Sequence, residues 1–287
     1  MAQTFIFLFL LLDMMLVAAS FKICAFNIRS FGQAKAANQR VMRALVQILS
    51  RCDISAVQEV RDSKGLAIQA LLQKLNRYDP SHHYNCLESK RLGRSSYKEQ
   101  NVFIYRQDAV SVTAWCQVGD EDARDFARIP FAVRFHSPYT VASDFVLLLH
   151  HTCPREAAHE LDLLFEVCME LMHWWKTENV MVLGDLNAGG AYVPMSALAR
   201  IHLHNHPAFH WLISDEEDTT VSHRTCCSYD RIIVHGEELL SAVVPGSAKP
   251  YNFTKAFGLS EEEALEISDH YPVEVKLKLA PKTQQEL

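Results

Sequence analysis

Short apolar runs that end in a polar residue recur along this chain and restrict the folds open to it. Residues 21–27 read as a buried strand that ends at Asn27, and residues 52–57 begin a second strand whose exit carries Glu59. Similar runs lie at 101–105, 131–135, 145–149, 179–183, 229–234 and 273–279. Apolar residues at helical spacing predict helices within 36–49, 66–75 and 156–175. Strands mixed with helices in this way predict an α/β sandwich.

The first twenty residues have the pattern of a secretory signal peptide. A largely apolar stretch at 5–17 is followed by Ala-Ala-Ser at 18–20, where small residues suit a signal peptidase. The alternative is a membrane anchor, which the short stretch and the internal Asp13 disfavour. No second long apolar segment follows. We therefore expect a chain that loses residues 1–20, is secreted or held in the lumen of the secretory pathway, and does not insert into a membrane.

The composition is that of a globular protein. At 287 residues, with 49% hydrophobic and 22% charged residues, the chain can bury a large core. We expect one domain over 21–280, followed by a short polar tail at 281–287. The formal net charge of -6 provides no overall basic surface. A nucleic-acid partner would therefore need a local basic patch and help from a cation.

Cysteines and one glycosylation sequon fit the secretory prediction. In an oxidising lumen the eight cysteines could form disulfides, but their connectivity stays open. None are spaced as C-x-x-C, which argues against a zinc site. Asn-Phe-Thr at 252–254 predicts N-glycosylation of Asn252. The cysteines are Cys24, Cys52, Cys86, Cys116, Cys153, Cys168, Cys226 and Cys227.

Two segments place metal-ligand side chains at the rim of apolar runs. Side chains at i and i+2 on an extended strand point the same way, so Asp185 and Asn187 could converge on one ligand. Ser-Asp-His at 268–270 repeats that chemistry near the end of the chain. The plain alternatives are a turn after the strand and, for Glu59, a solvated charge. Carboxylates for a hard cation, an amide for phosphate and imidazoles for protons together suggest a metal-dependent phosphodiesterase.

Two histidines are candidates for proton transfer. His151 follows an apolar strand, and His270 follows an aspartate. Asp230 could orient one of these imidazoles, although a surface pair with Arg231 is the alternative. Glu99 is a weaker candidate on its own. Most of the remaining histidines read as ordinary surface or loop residues.

An ordered set of motifs runs through the chain. They are Cys-Ala-Phe-Asn at 24–27, Gln-Glu-Val-Arg-Asp at 58–62, Leu-Gly-Arg at 92–94, Tyr-Lys-Glu at 97–99, His-Thr at 151–152, Gly-Asp-Leu-Asn-Ala at 184–188, Glu-Asp-Thr-Thr at 217–220, Tyr-Asp-Arg at 229–231 and Ser-Asp-His at 268–270. Together they resemble the secreted deoxyribonuclease I family, over a span from Phe21 to about Leu279. Segments 229–236 and 261–279 look most like its deoxyribonuclease-I-like 1 branch, with the gamma branch next.

The resemblance implies a fold and an activity. The fold is a four-layer α/β sandwich of the deoxyribonuclease I and endonuclease/exonuclease/phosphatase type. The activity is cleavage of double-stranded DNA with little sequence specificity, by a monomer that uses Mg²⁺ and Ca²⁺. His151 and His270 match the catalytic pair, with Glu99 beside the first and Asp230 beside the second. One imidazole would draw a proton from the attacking water while the other protonates the leaving 3′ oxygen.

The resemblance also assigns residues to the cations and to DNA. The side chains matched to the cation shell are Glu59, Asp185, Asp269 and Asn27. Those matched to the phosphate, the DNA backbone or the minor groove are Asn187, Arg29, Arg61, Tyr97 and Arg128. Backbone contacts of this kind hold the strand without reading its sequence. Asp218 and Thr220 resemble a structural Ca²⁺ site.

The chain departs from the family at several positions. Gly190 stands where the family usually has a cysteine, so Cys227 would lack its usual partner. We expect lower stability or a substitute bond, because losing such a crosslink costs about 2 to 5 kcal/mol. Ile129 replaces a usual glutamate and could weaken a loop Ca²⁺ site. His150 and Cys226 also differ from the family near the catalytic pair, so reduced activity is an expectation.

Two other functions stay open at this point. Related sandwiches cleave abasic DNA, phosphoinositides or sphingomyelin, although the signal peptide and the motifs at 58–62 and 217–220 favour DNA. The other alternative is a nuclease-like protein that binds DNA but has lost turnover. The departures at Ile129, Gly190 and Cys226 motivate it.

Overall fold

The computed structural model describes residues 20–94, 96–118 and 126–281. Nearly all of the predicted signal peptide at 1–20 and most of the polar tail at 281–287 therefore lie outside the described residues. Within the described ranges, the strands form two six-stranded sheets. None of the helices in these ranges has the length and apolar character needed to cross a membrane.

Strands and helices follow one another much as the apolar runs predict. In chain order, the described elements are β1 (Phe21–Phe31), α1 (Gln33–Ala37), α2 (Gln39–Leu49), β2 (Ile54–Val60), α3 (Leu66–Tyr78), β3 (Tyr84–Glu88), β4 (Gln100–Arg106), β5 (Ser111–Gln117), β6 (Phe131–His136), β7 (Asp144–Leu149), α4 (Ala157–Trp175), β8 (Val180–Asp185), α5 (Met195–Leu198), α6 (His202–Asn205), β9 (Phe209–Trp211), β10 (Asp230–His235), α7 (Glu237–Ala242), β11 (Lys249–Pro250), α8 (Phe253–Phe257), α9 (Glu261–Ile267) and β12 (Val273–Leu277). The first sheet has the order β11-β12-β1-β2-β4-β3, and the second has the order β5-β6-β7-β8-β10-β9.

Apolar side chains fill the space between the two sheets. Alternate residues of β1 face opposite sides, so Ile23 and Ala25 enter this central core while Phe26 packs outward. The ring of Phe103 in the first sheet lies 5.7 Å, centroid to centroid, from that of Phe131 in the second. The inner faces of the sheets therefore pack directly on each other.

Helices cover the outer faces of both sheets. Helices α2, α3 and α9 contribute Leu45, Leu71 and Ile267 to an apolar cluster on the outside of the first sheet. Helix α4 contributes Leu164 and Leu171 to the corresponding cluster on the second sheet. The order helix, sheet, sheet, helix confirms the predicted four-layer α/β sandwich.

Strand direction brings the predicted site residues to one rim of the sandwich. Strands β1 and β2 run parallel, as do β7 and β8, so the strands of each pair exit at the same end. Strand β10 runs antiparallel to β8, which places Asp230 opposite Asp185. Strands β12 and β4 run antiparallel to β1 and β2. His270 and Glu99, which lie just before them, therefore reach the same rim.

A disulfide joins Cys24 of β1 to Cys52, just before β2, within the described residues. Cys226 and Cys227 are free thiols there, so the expectation of a substitute bond at this pair is wrong. A Cβ atom placed on Gly190 would lie 2.7 Å from Cys227 Sγ. Positions 190 and 227 thus face each other, as a crosslink between them would require.

Candidate active site

Two imidazole–carboxylate pairs lie at the rim. His151 Nδ1 is 2.6 Å from Glu99 Oε1, and His270 Nδ1 is 2.7 Å from Asp230 Oδ2. Each pair joins the two sheets, but in opposite senses. His151 follows β7 of the second sheet and Glu99 precedes β4 of the first, whereas His270 precedes β12 of the first sheet and Asp230 begins β10 of the second. The structure therefore contains both contacts that the family resemblance implied, and the catalytic roles stay predictions.

Asp185 lies between the two pairs. His151 Nε2 and His270 Nε2 are each 3.4 Å from the same oxygen, Asp185 Oδ2. The Asp185 side chain is almost completely buried, as are both carboxylates that hold the imidazoles. Two imidazoles that are far apart in the sequence therefore face one point.

Burial and charge act in opposite directions on these groups. Burial lowers the pKa of His270, but the carboxylates of Asp230 and Asp185 outweigh it and hold that pKa well above its ordinary value. Burial also lowers the pKa of His151, but Glu99 outweighs it and the pKa is raised. Burial would raise the pKa of Asp185, but the imidazoles and other partners bring it below its ordinary value. The carboxylates therefore make both imidazoles more basic, beside an ionised Asp185.

Asn27 connects carboxylates of the two sheets. Its Nδ2 donates to Glu59 Oε1 and to Asp185 Oδ2, both at 3.0 Å. Among the described residues, Asp185, Asp230 and His270 form a group whose ligand atoms lie within 4.8 Å of one another and could hold a metal ion. The rim thus gathers oxygen donors around Asp185, which is the chemistry a hard divalent cation prefers.

Several rim residues have a left-handed backbone that favours glycine. They are Arg29, Ser30, Glu59 and Asn187, with φ of +42°, +52°, +59° and +47°. Such conformations cost about 1 to 3 kcal/mol each and persist only where surrounding contacts fix them. Here the Ser30 N–H donates to Glu59 Oε2 at 2.8 Å, and Lys35 Nζ donates to the carbonyls of Ile28 and Arg29, each at 2.8 Å. The fold holds the Glu59 side of the rim in place with these bonds.

Asn187 does not lie on the strand that carries Asp185. Strand β8 ends at Asp185, and the backbone of Asn187 is left-handed. The prediction that both residues lie at i and i+2 on one extended strand is therefore wrong. The Asn187 N–H donates to Asp185 Oδ1 at 3.2 Å, and its Nδ2 donates to the Thr152 carbonyl at 3.2 Å. A turn after the strand therefore brings Asn187 to the rim.

The side chains predicted to meet DNA fall into two groups, of which the first flanks Glu59. The Arg61 guanidinium lies 3.6 Å over the ring of Tyr97, whose hydroxyl is 3.4 Å from Glu59 Oε2. Arg29 is about half exposed, and its Nε lies 3.7 Å from Asp269 Oδ2. Arg29, Arg61 and Tyr97 thus form a basic and aromatic surface beside the carboxylates.

Arg128 forms the second group and is placed differently. Its Nε lies 2.8 Å from Glu99 Oε1, and its Nη1 donates to the His151 carbonyl at 3.2 Å. The side chain is only 14% exposed. Arg128 therefore supports the His151–Glu99 pair, and its expected contact with DNA stays a prediction.

Asp218 and Thr220 lie in a loop that supports the other pair. Asp218 Oδ1 accepts from the N–H and the hydroxyl of Thr220 at 2.9 and 2.7 Å, and from the Cys227 N–H at 3.2 Å. Thr219, between them, accepts the Asp230 N–H on its hydroxyl oxygen at 3.2 Å. The loop therefore holds the backbone of Asp230 through Thr219. The Ca²⁺ site at Asp218 and Thr220 stays a prediction.

Sequence reasoning missed residues that hold the site without facing it. Ser268 Oγ donates to the Asn27 carbonyl at 2.6 Å and accepts the His270 N–H at 3.1 Å. His150 Nε2 is 2.9 Å from Glu160 Oε2, and both residues are fully buried. Glu160 could have been noticed as a charged residue on the apolar face of the helix predicted at 156–175. His150 thus bonds a side chain of this helix. The reduced activity expected because His150 differs from the family pattern stays a prediction.

The remaining departures concern the loop before β6 and the loop before β10. Residues 119–125 lie outside the described residues, so the effect of Ile129 on a loop Ca²⁺ site stays a prediction. Cys226 is exposed, and its effect on activity likewise stays a prediction.

Comparison with known proteins places this fold and rim in one class. The chain matches the model of the endonuclease/exonuclease/phosphatase family over residues 24–270, and it belongs to that family. It is 46% identical to deoxyribonuclease gamma of Homo sapiens, with 91% of this chain and 87% of that protein covered. It is 48% identical to deoxyribonuclease-1 of Canis lupus familiaris (92% and 93% covered) and 46% identical to deoxyribonuclease-1-like 1 of Homo sapiens (92% and 86%).

These identities confirm the predicted resemblance to the deoxyribonuclease I family. Its branches match almost equally well, so the preference for the deoxyribonuclease-I-like 1 branch stays a prediction. Among solved structures, the human Nocturnin catalytic domain has a TM-score of 0.60 at 14% identity, with 91% of this chain and 95% of that chain covered. That likeness supports the fold.

Proposed function

We propose that this chain is a divalent-cation-dependent endodeoxyribonuclease that hydrolyses phosphodiester bonds of double-stranded DNA with little sequence specificity. The observation that carries the proposal is the convergence of two imidazole–carboxylate pairs on Asp185 Oδ2. The identity to proteins named deoxyribonuclease, at 46 to 48%, supports the choice of substrate.

The two pairs suit the two proton transfers of phosphodiester hydrolysis. In each pair Nδ1 is bonded to a carboxylate, which fixes the orientation of the ring and leaves Nε2 toward Asp185. One imidazole takes a proton from the water that attacks phosphorus. The other gives a proton to the 3′ oxygen that leaves. Glu99 and Asp230 stabilise the imidazolium form of His151 and His270 respectively.

The oxygen donors around Asp185 suit Mg²⁺. Following the family motifs, we assign Glu59, Asp185 and Asp269, with Asn27, as the residues that would hold it, because Mg²⁺ prefers carboxylate and carbonyl oxygens. Asn27 already brings the first two carboxylates to within hydrogen-bond distance of one atom. A cation there supplies positive charge that neutralises the phosphate. We assign structural Ca²⁺ to Asp218 and Thr220, outside this group.

DNA binding needs local positive charge, because the net charge of the chain is -6. Arg29, Arg61 and Tyr97 offer that charge and an aromatic surface beside Glu59. Contacts from these side chains to phosphates hold the duplex without reading its sequence, and binding should weaken as salt rises. Asn187 reaches the rim from the second sheet and is assigned to the scissile phosphate.

We propose further that the protein is a secreted monomeric glycoprotein. The N-terminal pattern at 1–20 motivates secretion, and the Cys24–Cys52 disulfide suits an oxidising compartment. Asn252 of the sequon is exposed and is the N-cap residue just before helix α8. Loss of residues 1–20 and a mass shift on deglycosylation of the protein from culture medium test this; an intact N-terminus on an intracellular chain would contradict it.

The decisive experiment is plasmid nicking by the purified protein. We expect supercoiled DNA to be nicked with Mg²⁺ and Ca²⁺, and nicking to stop when EDTA is added. A folded sample that does not nick would overturn the proposal. Binding of DNA in EDTA without later cleavage would favour the nuclease-like binding protein, and cleavage of abasic DNA, a phosphoinositide or sphingomyelin in its place would favour another phosphodiesterase of this fold.

A further inference from the structure

Gln58 carries its side-chain amide from the first sheet into the second. It lies on β2 directly before Glu59, and it is fully buried. Its Oε1 accepts the backbone N–H of Asp185 at 2.8 Å, and its Nε2 donates to the backbone carbonyl of His150 at 2.6 Å. One amide therefore contacts the ends of both β7 and β8.

The Gln58 amide replaces one backbone hydrogen bond between β7 and β8. Past the end of β7, the His150 N–H donates to the Leu183 carbonyl at 3.2 Å, and the Thr152 N–H donates to the Asp185 carbonyl at 3.1 Å. A regular parallel ladder would join the Asp185 N–H to the His150 carbonyl between these two bonds. Both groups bond to Gln58 instead, while the two flanking bonds still join the strands.

Gly184 leaves the space that this amide occupies. A Cβ atom at position 184 would lie 2.5 Å from Gln58 Nε2 and would also collide with the His150 carbonyl. The φ of Gly184 is +130°, a conformation that side chains disfavour. The backbone of β8 is thus shaped at this residue to admit a side chain from the other sheet.

We infer that Gln58 is a positioning residue that sets the spacing of the cation ligands and of His151. The groups it fixes are the backbone of Asp185, the residue before His151 and, by direct succession in the chain, Glu59. Loss of the amide leaves the Asp185 N–H and the His150 carbonyl without these bonds and lets the ends of β7 and β8 shift, which moves His151 and Asp185 relative to Glu59. The inference rests on the proposed function, because it concerns the same site.

The test compares Gln58→Met with Asn179→Leu. Methionine keeps the length and approximate volume of glutamine but makes no amide hydrogen bonds. Asn179 is the matched control: its buried amide bonds the Asp144 carbonyl, Glu238 and the Leu239 N–H just before the other end of β8. At about 3.3 Å per residue, that end lies roughly 20 Å from Asp185. Both variants lose buried amide hydrogen bonds, but only one loses them at the rim.

Two measurements separate positioning from general stability. The first is plasmid nicking against Mg²⁺ and DNA concentration, and the second is the rise in Tm caused by Mg²⁺ alone. For Gln58→Met we expect kcat to fall by about 10- to 100-fold, half-saturating Mg²⁺ to rise by a similar factor, and KM for DNA to change little. The Mg²⁺-induced rise in Tm should shrink. Asn179→Leu should lower Tm without changing kcat per folded molecule or half-saturating Mg²⁺.

Equal Mg²⁺ dependence in Gln58→Met and the unmodified protein would overturn the inference. So would a rate that falls only in proportion to the folded fraction. Should Gln58→Met not fold, Gln58→Glu preserves the side-chain volume and the acceptor for the Asp185 N–H but cannot donate to the His150 carbonyl; a full rate with unchanged Mg²⁺ dependence there would equally overturn it. If the unmodified protein does not nick DNA, the proposed function fails, while the Mg²⁺-induced Tm shifts still test the positioning role.

Discussion

The two ends of the second sheet carry similar residue types but very different environments. At the rim, imidazoles and carboxylates are buried in pairs that join both sheets. At the opposite end, a cavity of about 990 Å³ is lined by His210, His235, Glu178, Glu237 and Glu238, among others. There His235 Nδ1 bonds the carbonyl of Glu178, whose carboxylate is 76% exposed. All of these side chains come from the second sheet and its connections.

The difference teaches that pairing of buried imidazoles with buried carboxylates across the two sheets, rather than residue type, defines the reactive end. His235 is itself buried, but the Glu178 carboxylate beside it is exposed, so water screens their interaction. Buried pairs keep fixed geometry and shifted pKa values, which proton transfer requires. We therefore place the chemistry at the rim, although a cavity lies at the opposite end.

The largest expected effect comes from breaking the rim pairs. His151→Ala and His270→Ala should each lower plasmid nicking by about 100- to 10,000-fold, the usual contribution of a general acid or base. His235→Ala is the matched control at the other end and should leave the rate per folded molecule within about 2-fold. Circular dichroism and Tm establish that each variant is folded. A His151 or His270 variant that nicks at full rate would show that its role is misassigned.

A second prediction concerns the disulfide in the first sheet, between β1 and the start of β2. The Cys24–Cys52 disulfide closes a loop with a sequence separation of 28 residues. Replacing both residues with serine should lower the free energy of unfolding by about 3 to 4 kcal/mol, because the unfolded chain gains freedom. Urea denaturation measures this change. A reducing agent should destabilise the unmodified protein to a similar extent but leave the double variant unchanged.

The second-sheet side of the rim has no such crosslink at positions 190 and 227, and Gly190→Cys should supply one. We expect a disulfide with Cys227 that raises the free energy of unfolding by about 2 kcal/mol net, since loop closure stabilises more than a left-handed cysteine costs. Gly190→Ser carries the same backbone strain without the sulfur and should be less stable than the unmodified protein. Peptide mapping without reduction identifies the bond. Finding both thiols free under oxidising conditions would contradict this prediction.

The smallest effect concerns acid stability behind the rim. Burial raises the pKa of Glu160, but His150 and the N–H groups of Ala127 and Cys153 outweigh it and lower that pKa below its ordinary value. Such a group stabilises the fold above its unfolded pKa, and this stability is lost as pH falls through the folded pKa. Glu160→Gln should therefore lower the free energy of unfolding at pH 7 by about 1 to 3 kcal/mol, which appears as a lower Tm. It should also weaken the further fall in Tm below about pH 4.5; parallel curves for the two proteins would argue against an ionised Glu160.

The sequence predicts strand exits well, because an apolar run followed by a polar residue has a local pattern. Glu59, His151 and Asp185 were found in this way, and strand direction then explains why they meet. The pairing of each imidazole with its carboxylate came from the family motifs, since Glu99 alone has no distinctive local pattern. The strand predicted at 21–27 continues to Phe31, because the chain rejoins β2 after an irregular step beyond Asn27.

Features that depend on distant contacts could not be predicted locally. Gln58 stands in an apolar run, but its partner Asp185 is 127 residues away. The eight cysteines allow 105 complete pairings, so the Cys24–Cys52 bond needed the β1–β2 geometry. For Asn187 the sequence left open a continued strand or a turn, and its bonds to Asp185 and Thr152 show the turn. In each case a tertiary contact decides the local conformation.

In each pair the imidazole and the carboxylate come from different sheets, so both pairs depend on how the two sheets are aligned. A slide between the layers would distort both short imidazole bonds, now 2.6 and 2.7 Å, because each bond has one partner on either sheet. Gentle heating or low urea should therefore stop hydrolysis while the strands and helices still give a native circular dichroism spectrum.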